Sequence, residues 1–327
     1  MKTLDYTKEI KRKIKKHNTI FIVGHKNLDL DAIGSSLGVY SIVKNFHKNA
    51  YIIVDDEIPE LGVKKLIDDQ KDIKFIKSKD VDNLKTNSNL LIIVDTNKTT
   101  LLSSENLIDK FDEIIIIDHH QINEKTINKG LRIIDDEISS TCEIITNLII
   151  KYKINIKEEI ATAILSGIVL DTNNFSLKTT ENTYYTAYVL TKLGASPKKA
   201  QSYLKQDIND YIIRQQAITN VKVLNNKYAI TIGHNDIIYR REELAKIADT
   251  LLEFNGITAS FVLGKTSSNT IGLSARSEGI IDVGNIAEDL GGGGNNYEAA
   301  SQIESNDINK IKEQLLKAIH KEESIWK

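Results

Sequence analysis

Histidine and aspartate side chains that could bind metal ions cluster in three short segments of this chain. Each segment directly follows an apolar run, and the residues are His25, Asp29, Asp31, Asp95, Asp118, His119 and His120. Carboxylate oxygens suit Mg²⁺ or Mn²⁺, and imidazole nitrogens move the preference toward Mn²⁺. Carboxylates shared by two ions hold them about 3.5 to 4 Å apart, where they clamp a phosphoryl group and lower the pKa of bridging water. The chemistry predicted is phosphoester hydrolysis by hydroxide formed near neutral pH.

Three runs rich in β-branched residues precede these segments and predict the strands that position them. The runs are Thr19 to Val23, Leu90 to Val94 and Ile114 to Ile117. Such runs are typical of buried parallel strands. Ligands of an open α/β sheet bind outside the carboxyl ends of its strands. Acids and histidines that follow three such strands are therefore expected to converge.

The loop after the first strand is predicted to lead into a helix that begins near Ala32. His25, Asp29 and Asp31 lie on that loop, with Asp31 as the expected N-cap of the helix. A lone Asp before a helix is usually a cap, and a lone His after a strand is usually a loop residue. The whole set nevertheless predicts one metal site, because a fourth apolar stretch ends in Asp171 and adds another carboxylate.

The composition predicts a soluble globular protein. Of the 327 residues, 41% are hydrophobic and 27% charged, and the formal net charge of -2 argues against a general nucleic-acid coat protein. The single Cys142 excludes a disulfide framework and a cysteine-rich zinc site, and it fits a reducing cytoplasm. No segment approaches the roughly 20 apolar residues of a membrane span. The basic run Lys11 to Lys16 is interpreted as the solvated face of an amphipathic helix, in preference to a contact with nucleic acid or anionic lipid.

Alternating strand-like and helix-like stretches predict a mostly parallel α/β sheet in the first part of the chain. Strands are expected near residues 19–24, 50–54, 73–76, 89–95, 113–118 and 131–134. Helices are expected after them at Thr141–Lys151, Lys157–Leu170, Glu181–Leu193 and Ser196–Lys205. The pattern divides the chain into an α/β domain over residues 1–190, a helical linker over 191–221 and a smaller α/β domain over 222–327.

The second domain is predicted to open with a hairpin, because two apolar runs flank Asn225-Asn226. The later elements are expected at Glu242–Glu253 (helix), Thr258–Leu263 and Thr270–Ala275 (strands), Val283–Leu290 (helix) and from Asp307 onward (helix). Between the last two helices lies the tract Gly291–Gly294. By itself a four-glycine tract is most simply a flexible loop.

Together these residues resemble the four motifs of the DHH phosphoesterases. The matching motifs are His25-x-Asn27-x-Asp29-x-Asp31, Asp95, Asp118-His119-His120 and Asp171. The segment Ser274-Ala275-Arg276-Ser277 and the four glycines resemble the associated DHHA1 domain. Within the family the chain is most similar to the catalytic portion of GdpP-type cyclic di-AMP phosphodiesterases, through Val94–Lys98, Ser139–Thr141, Ala259–Val262 and Leu290–Gly294.

This resemblance implies a fold, a reaction and a setting. The fold is a mostly parallel-sheet DHH domain joined by a helical linker to a smaller α/β DHHA1 domain, with the active site in the cleft between them. The reaction is hydrolysis of cyclic di-AMP to pApA by hydroxide activated at two Mn²⁺ ions, or at Mg²⁺ or another divalent ion. The setting is a cytoplasmic homodimer, or the cytoplasmic portion of a longer membrane-anchored protein. Its substrate is a cyclic or short linear dinucleotide, with no long nucleic acid as partner.

The resemblance also assigns the metal ligands, which are His25, Asp29, Asp31, Asp95, His119 and Asp171. His25 and Asp29 would bind one ion, Asp95 would bridge, and the other three residues would bind the second ion. Asp118 would orient a metal-ligating histidine, as such ligands usually require. His120 would meet the scissile phosphate and assist the leaving oxygen.

Substrate contacts are expected mainly from the second domain. They are assigned to Arg276, Gly292, Gly293, Gly294, Asn295, Asn27 and Ser140. Arg276 offers a bidentate fork for phosphate, and the glycines let backbone N–H groups approach an anion without obstruction by Cβ. Ser140 and its neighbours most simply cap the helix that follows them.

Two positions depart from the family pattern. Family members usually have a histidine right after the glycines, where this chain has Asn295. Asn cannot carry positive charge against phosphate, and a lost charge-assisted hydrogen bond costs on the order of 1.5 to 3 kcal/mol. Asn295→His is therefore expected to raise catalytic efficiency. Leu28 stands where Pro is common, a milder change that should loosen the loop.

Two alternative functions stay open at this point. A nanoRNase or pAp phosphatase acting on short oligonucleotides such as pApA has the same metal motifs. A nucleotide-binding regulator with weakened catalysis would account for Asn295. Inorganic pyrophosphatase shares the DHH motif but is disfavoured, because its second domain is different and basic.

Overall fold

A computed structural model describes residues 6–55, 59–205 and 207–325 of the chain. The chain divides into a first unit, Met1–Gln206, and a second unit, Asp207–Lys327. The division falls inside the stretch 191–221 that the sequence predicts as a linker. Each unit has its own sheet and its own hydrophobic core.

The described part of the first unit contains a six-stranded parallel sheet in the order β3-β2-β1-β4-β5-β6. Its strands are β1 (Thr19–Val23), β2 (Asn49–Ile53), β3 (Phe75–Ile76), β4 (Asn89–Val94), β5 (Ile114–Asp118) and β6 (Leu131–Ile134). They confirm the parallel sheet predicted from the sequence. β1, β4 and β5 are buried almost throughout, as expected of apolar strands covered on both faces. The strand order reverses between β1 and β4, so the crevice at their carboxyl ends is the topological switch point.

Helices and short turns cover both faces of this sheet, with one core on each face. The helices are α1 (Tyr6–Lys16), α2 (Leu30–Asn45), α3 (Leu61–Asp68), α4 (Val81–Leu84), α5 (Thr141–Tyr152), α6 (Glu158–Asp171), α7 (Glu181–Lys192) and α8 (Pro197–Tyr203). Short 3₁₀ segments lie at Ser78–Asp80, Thr99–Leu101 and Glu105–Lys110. None of the helices in the described ranges of the chain is both long and apolar enough to cross a membrane.

A close crossing of α2 and α6 brings two acidic residues together. A Cβ added at Gly34 would lie 2.7 Å from the carbonyl oxygen of Ala163, and one at Gly167 would lie 2.8 Å from Cα of Asp31. Glycine is therefore required for the two helices to approach this closely. As a consequence, Asp31 at the start of α2 lies near Asp171 at the end of α6.

The described part of the second unit contains a six-stranded mixed sheet in the order β11-β12-β10-β9-β8-β7. β8 and β9 are parallel, and the other neighbours are antiparallel. The strands are β7 (Lys222–Leu224), β8 (Tyr228–Ile232), β9 (Ala259–Lys265), β10 (Thr270–Ser277), β11 (Gly293–Gly294) and β12 (Glu298–Glu304). The helices are α9 (Ile208–Thr219), α10 (Arg241–Leu252), α11 (Val283–Glu288) and α12 (Ile308–Ile325).

The structure bears on two features of the second unit considered from the sequence. The hairpin turn is confirmed, because Asn225 and Asn226 have φ values of 52° and 57° between antiparallel β7 and β8. The glycine tract is not simply a flexible loop, since Gly293–Gly294 pairs with β12. β12 was not predicted, because its sequence, EAASQIE, contains a single β-branched residue and so has little strand propensity.

Candidate metal centre

The first predicted ligands lie between β1 and α2, and the structure corrects which of them caps the helix. Asp29, in an extended backbone conformation, is the N-cap of α2, and its Oδ1 accepts from the N–H groups of Asp31 and Ala32 at 2.9 Å each. The helix begins at Leu30 rather than near Ala32. The prediction that Asp31 is the cap is therefore wrong, because Asp29 reaches both exposed N–H groups one residue before the helix starts.

Asp31 has a different structural role, in the first turn of α2. Its side chain is fully buried and accepts from two backbone N–H groups at the start of α5. Oδ2 accepts from Thr141 at 2.8 Å, and Oδ1 accepts from Cys142 at 2.8 Å. The amino end of a helix carries partial positive charge, so this position holds a carboxylate in a fixed orientation.

Asp95 follows β4 at the switch point of the sheet. Its backbone is left-handed, with φ of 59°, and its side chain is buried. Oδ1 accepts from the Thr141 hydroxyl at 3.0 Å. Left-handed backbone is uncommon outside glycine, although Asp tolerates it better than most residues. The conformation turns this carboxylate into the crevice instead of continuing the strand.

The structure brings all six predicted metal ligands together at the carboxyl edge of the first sheet. Their donor atoms form groups that each lie within 4.8 Å, namely His25-Asp29-Asp95, Asp31-His119-Asp171 and Asp95-His119-His120. Asp95 contributes a carboxylate to two of these three groups. Its Oδ2 lies 3.4 Å from His25 Nε2, and its Oδ1 lies 3.5 Å from His119 Nε2. One carboxylate therefore faces two donor groups, as the predicted bridging ligand must.

Distances within the two outer groups fit coordination of a common ion. His25 Nε2 lies 3.6 Å from Asp29 Oδ2, and His119 Nε2 lies 3.2 Å from Asp171 Oδ2 and 4.0 Å from Asp31 Oδ2. Ligand atoms bound at about 2.1 Å from one ion lie about 3 to 3.5 Å from each other. The donor atoms of each group are thus spaced so that a divalent ion fits between them after small shifts of the side chains.

The electrostatics of the carboxylates also fit a site for cations. Burial raises the pKa of Asp95 well above its ordinary value, and the neighbouring charge of Asp31 adds to the effect. Burial, followed by the charge of Asp171, raises the pKa of Asp31 to about 6. Burial and Asp29 raise the pKa of Asp171 to about 8. Among the described residues, histidines but no Lys or Arg form ion pairs with these three carboxylates or with Asp29. Buried carboxylates that are grouped with imidazoles and lack a Lys or Arg partner are suited to a metal ion.

Asp118 pairs with a different histidine from the one expected. The carboxylate accepts from His120 Nδ1 at 2.7 Å, and this hydrogen bond raises the pKa of His120. Orientation of a metal-ligating histidine was predicted, but within the described residues His119 Nδ1 and Asp118 Oδ2 are buried without hydrogen-bond partners. The reason is local, because the turn after β5 directs His120 back over Asp118 while His119 faces the other ligands.

These groups line a cavity of about 650 Å³ in the first unit. Its lining residues are His25, Asp29, Asp95, Leu101, His119, His120, Ser139, Asp171, Leu177 and Lys178. Asn27 and Ser140 are not among them. Ser140 is fully buried and caps α5 by accepting from the N–H of Glu143, whereas Ser139 lines the cavity and donates to the Glu143 carboxylate. Leu177 and Lys178 were not predicted as site residues, and their position shortly after Asp171 is their only signal in the sequence.

A second cavity, of about 530 Å³, lies in the second unit beside the predicted substrate residues. It is lined by Arg276, Gly292 and Gly293 together with Arg241, Ser274 and other residues of α10, β10 and β12. Arg276 Nε donates to Asp249 Oδ1 at 2.6 Å. An arginine held at one edge keeps donors for a phosphate.

The glycines of the tract differ in what they do. A Cβ at Gly292 would lie 2.1 Å from Ser301 Oγ, and a Cβ at Gly294 would lie 2.3 Å from the carbonyl oxygen of Glu298. These two glycines permit close packing against β12. Gly293 has no atom within 4 Å of an added Cβ, so it leaves open space at the cavity. The glycines were predicted to let backbone N–H groups approach an anion. Of Gly292, Gly293 and Gly294, only Gly293 has the open space that this role requires.

Asn295 holds the turn between β11 and β12. Its Oδ1 accepts from the N–H groups of Tyr297 at 2.7 Å and Glu298 at 3.0 Å. The residue is exposed, and neither Asn295 nor Gly294 lines the second cavity. The side-chain oxygen of Asn295 therefore stabilises this turn. Because Asn295→His would remove these two hydrogen bonds, a simple gain in catalytic efficiency is no longer the expected result.

Comparison with known proteins gives matches in both units. Residues 19–168 match the DHH family, N-terminal domain, and residues 220–321 match the DHHA1 domain. The chain is 36% identical over 324 residues to the cyclic-di-AMP phosphodiesterase PdeA of Listeria monocytogenes, which covers 96% of this chain and 49% of that protein. It is 33% identical over 317 residues to the cyclic-di-AMP phosphodiesterase GdpP of Geobacillus thermodenitrificans, which covers 94% and 48%. The chain spans about half the length of these relatives.

More distant matches extend the comparison. The bifunctional oligoribonuclease and PAP phosphatase NrnA of Thermus thermophilus is 26% identical over 305 residues, which cover 93% of this chain and 90% of that protein. An exopolyphosphatase-related protein from Bacteroides fragilis has a solved structure with a TM-score of 0.84, 22% identity and 98% coverage of both chains. This structural match confirms the fold.

Proposed function

This chain belongs to the DHH family and carries a DHHA1 domain, and from that premise we propose that it is a divalent-metal phosphodiesterase that hydrolyses cyclic di-AMP to pApA. The observation that carries the proposal is the position of Asp95, whose two oxygens face separate donor groups. The names of the relatives at 33% to 36% identity support the choice of cyclic di-AMP.

The residues of the first cavity would hold two ions. His25, Asp29 and Oδ2 of Asp95 would bind one, and Oδ1 of Asp95 would complete the other group, which consists of Asp31, His119 and Asp171. When bound, such ions polarise a phosphoryl oxygen and lower the pKa of water. The mixed carboxylate and imidazole donors support Mn²⁺ as the preferred ion.

His120 and Asp118 are suited to proton transfer. Hydrolysis adds water to phosphorus, breaks the bond from phosphorus to the 3′ oxygen, and leaves that oxygen in need of a proton. The hydrogen bond that His120 Nδ1 donates to Asp118 favours the protonated imidazole and fixes its orientation. We assign the proton given to the leaving oxygen to His120.

Arg276 is the residue of the second unit that we assign to substrate phosphate. Arg276 lines the second cavity with Gly292 and Gly293, and its Nε donates to Asp249. The resemblance to the family also supports a cytoplasmic homodimer as the working form.

A product assay tests the function. The purified chain is incubated with Mn²⁺ and, in parallel, with cyclic di-AMP, pApA or pAp, and the products are separated by chromatography. We expect cyclic di-AMP to yield pApA, and we expect chelation of the metal to stop the reaction. Fast cleavage of pApA or pAp with cyclic di-AMP untouched would assign the oligonucleotide activity instead. Tight binding of cyclic di-AMP without any Mn²⁺-dependent product would indicate a regulator.

A further inference from the structure

The segment that follows Asp171 has an unusual backbone. Asn173, Asn174, Phe175 and Lys178 have positive φ values of 43°, 58°, 65° and 43°. Asn adopts this region with modest strain, but a bulky aromatic residue such as Phe rarely does. Strained backbone persists only where the surrounding structure fixes it, and it is concentrated at functional sites.

Thr172 fixes this segment, which we call the left-handed turn (residues 173–178). Its hydroxyl donates to the carbonyl oxygen of Ile168 at 2.6 Å and accepts from the N–H of Phe175 at 2.9 Å. Its carbonyl oxygen accepts from the N–H groups of Ser176 and Leu177 at 2.8 Å each. Thr172 is fully buried. One side chain at the end of α6 thus anchors the turn directly beside a metal ligand.

Contacts on the outer side also hold the turn. The ring of Phe175 stacks on Tyr184 of α7, with centroids 5.6 Å apart and an angle of 15° between the planes. Asn174 Oδ1 accepts from Gln201 Nε2 of α8 at 2.5 Å. The turn is therefore tied to three helices, and the strain is maintained by packing on both sides.

The consequence of this geometry is the position of Lys178. It lines the first cavity together with the metal ligands, and it also lines an adjoining cavity of about 550 Å³ beside Phe175 and Tyr184. Apart from histidines, Lys178 is the one basic residue among the described residues that line this cavity.

Lys178 is exposed, and an exposed lysine beside acidic groups would be expected to pair with one of their carboxylates. Among the described residues no carboxylate lies within ion-pair distance of Lys178, although the cavity that it lines is strongly acidic. A lysine that faces acidic ligands without pairing with them keeps its three N–H donors for another anion.

We propose that Lys178 binds a non-bridging oxygen of the substrate phosphate at the metal centre, and that Thr172 positions it through the left-handed turn. The inference rests on the proposed phosphodiesterase activity and adds a substrate-binding residue to it. Lys178 would add a charge-assisted hydrogen bond to a phosphate oxygen, which the carboxylate ligands cannot do because they have no donor.

Substitution of Lys178 tests the proposal. We compare wild type, Lys178→Met, Lys178→Arg and the matched surface control Lys198→Met with Mn²⁺ and either cyclic di-AMP or bis(p-nitrophenyl) phosphate. Lys178→Met should lower kcat/KM about tenfold to a hundredfold for both esters, Lys178→Arg should recover most of it, and the control should match wild type. Calorimetric affinity for Mn²⁺ should be unchanged in all variants.

Binding of inorganic phosphate to the Mn²⁺-loaded protein gives a readout that does not depend on turnover. Lys178→Met should weaken it about tenfold, and the Thr172→Val variant should weaken it in part while Mn²⁺ affinity holds. Wild-type kinetics and phosphate affinity in Lys178→Met would overturn the proposal, as would a parallel loss of Mn²⁺ affinity, which would indicate a merely structural role.

The outcomes separate this inference from the proposed function. If wild type leaves cyclic di-AMP intact but Lys178→Met still weakens phosphate binding or cleavage of the small diester, the substrate assignment fails and the role of Lys178 stands. If wild type converts cyclic di-AMP to pApA and Lys178→Met does so equally well, the role of Lys178 fails and the proposed function stands.

Discussion

The cavities of the two units differ in how firmly their charged groups are held. In the first unit, Asp31 and Asp95 are buried and accept hydrogen bonds from Thr141 and Cys142 at the start of α5. In the second unit, Arg276 has one anionic restraint, Asp249, which is itself about half exposed, with 54% of its side chain accessible. Oxygen ligands must be fixed within a few tenths of an ångström to bind an ion. A phosphate-binding arginine needs charge and reach, and it tolerates more freedom.

This difference predicts that substitutions in the two cavities change different measurements. Substitutions among the fixed acids should reduce metal affinity and turnover together. Substitutions around Arg276 should raise KM while metal affinity stays the same. If substitutions in both cavities changed metal affinity, turnover and KM in the same way, the two cavities would not have the separate roles of metal binding and phosphate binding.

The largest effect is expected for Asp95→Asn. Asn tolerates the left-handed backbone at this position, so the variant removes charge with little change in backbone strain. Loss of the shared carboxylate should lower kcat by at least about a thousandfold, because metal ions supply several kcal/mol of transition-state stabilisation. The measurement is Mn²⁺-dependent hydrolysis of cyclic di-AMP together with calorimetric titration of Mn²⁺. Asp109→Asn, on an exposed 3₁₀ segment, is the matched control, and retention of tight binding of two ions by Asp95→Asn would contradict the bridging role.

Arg276→Ala should produce the next largest effect. Loss of a charge-assisted contact to phosphate should lower kcat/KM about tenfold to a hundredfold, chiefly through KM. Titration of Mn²⁺ should give the wild-type affinity, because the metal ligands all lie in the first unit. Arg240→Ala, which changes an exposed arginine that is not among the residues lining the second cavity, controls for net charge. A fall in metal affinity in Arg276→Ala would break the comparison.

Thr141→Val tests whether a hydrogen bond from a residue that is not itself a predicted metal ligand helps to hold Asp95. The substitution keeps the shape but removes the hydroxyl that donates to Asp95 Oδ1. Outer hydrogen bonds to ligands are typically worth about tenfold to a hundredfold in metal affinity, and we expect the lower end because Asp95 has other restraints. Thr146→Val serves as control, since its hydroxyl donates to a carbonyl oxygen of the same helix. Equal Mn²⁺ affinities in the two variants would mean that the ligand does not depend on this contact.

The grouping of the candidate metal ligands could be predicted from the sequence residue by residue, for a physical reason. Parallel strands with apolar sequences are recognisable, and their carboxyl ends meet at one edge of the sheet. Residues that follow β1, β4 and β5 must therefore lie close together. The choice between Asp29 and Asp31 as the cap could not be made in this way, because both precede the helical run and only the backbone conformation decides between them.

The second unit was less predictable because its decisive contacts are distant in sequence. Strand β12 forms through pairing with β10, and its own residues have weak strand propensity. The roles of Gly292 and Gly294 depend on that pairing. The left-handed turn was equally hidden. Asn173 and Asn174 indicate a turn, but nothing in the sequence shows that Phe175 adopts the same conformation or that Lys178 faces the metal cavity.

The smallest effect is expected for Asp249→Asn, which keeps the shape of the Arg276 partner and removes its charge. KM should rise about threefold to tenfold, since the guanidinium loses part of its orientation but not its own contact with phosphate. The pH dependence is more telling. Burial raises the pKa of Asp249 even though Arg276 opposes the shift, so the carboxylate loses its charge at a higher pH than an ordinary aspartate does. As the pH falls through that raised pKa, wild-type KM should increase toward the value of the variant, while KM of Asp249→Asn should show no such increase. Parallel pH profiles of KM in the two proteins would show that Asp249 does not restrain Arg276, and the second cavity would then rely on the arginine alone.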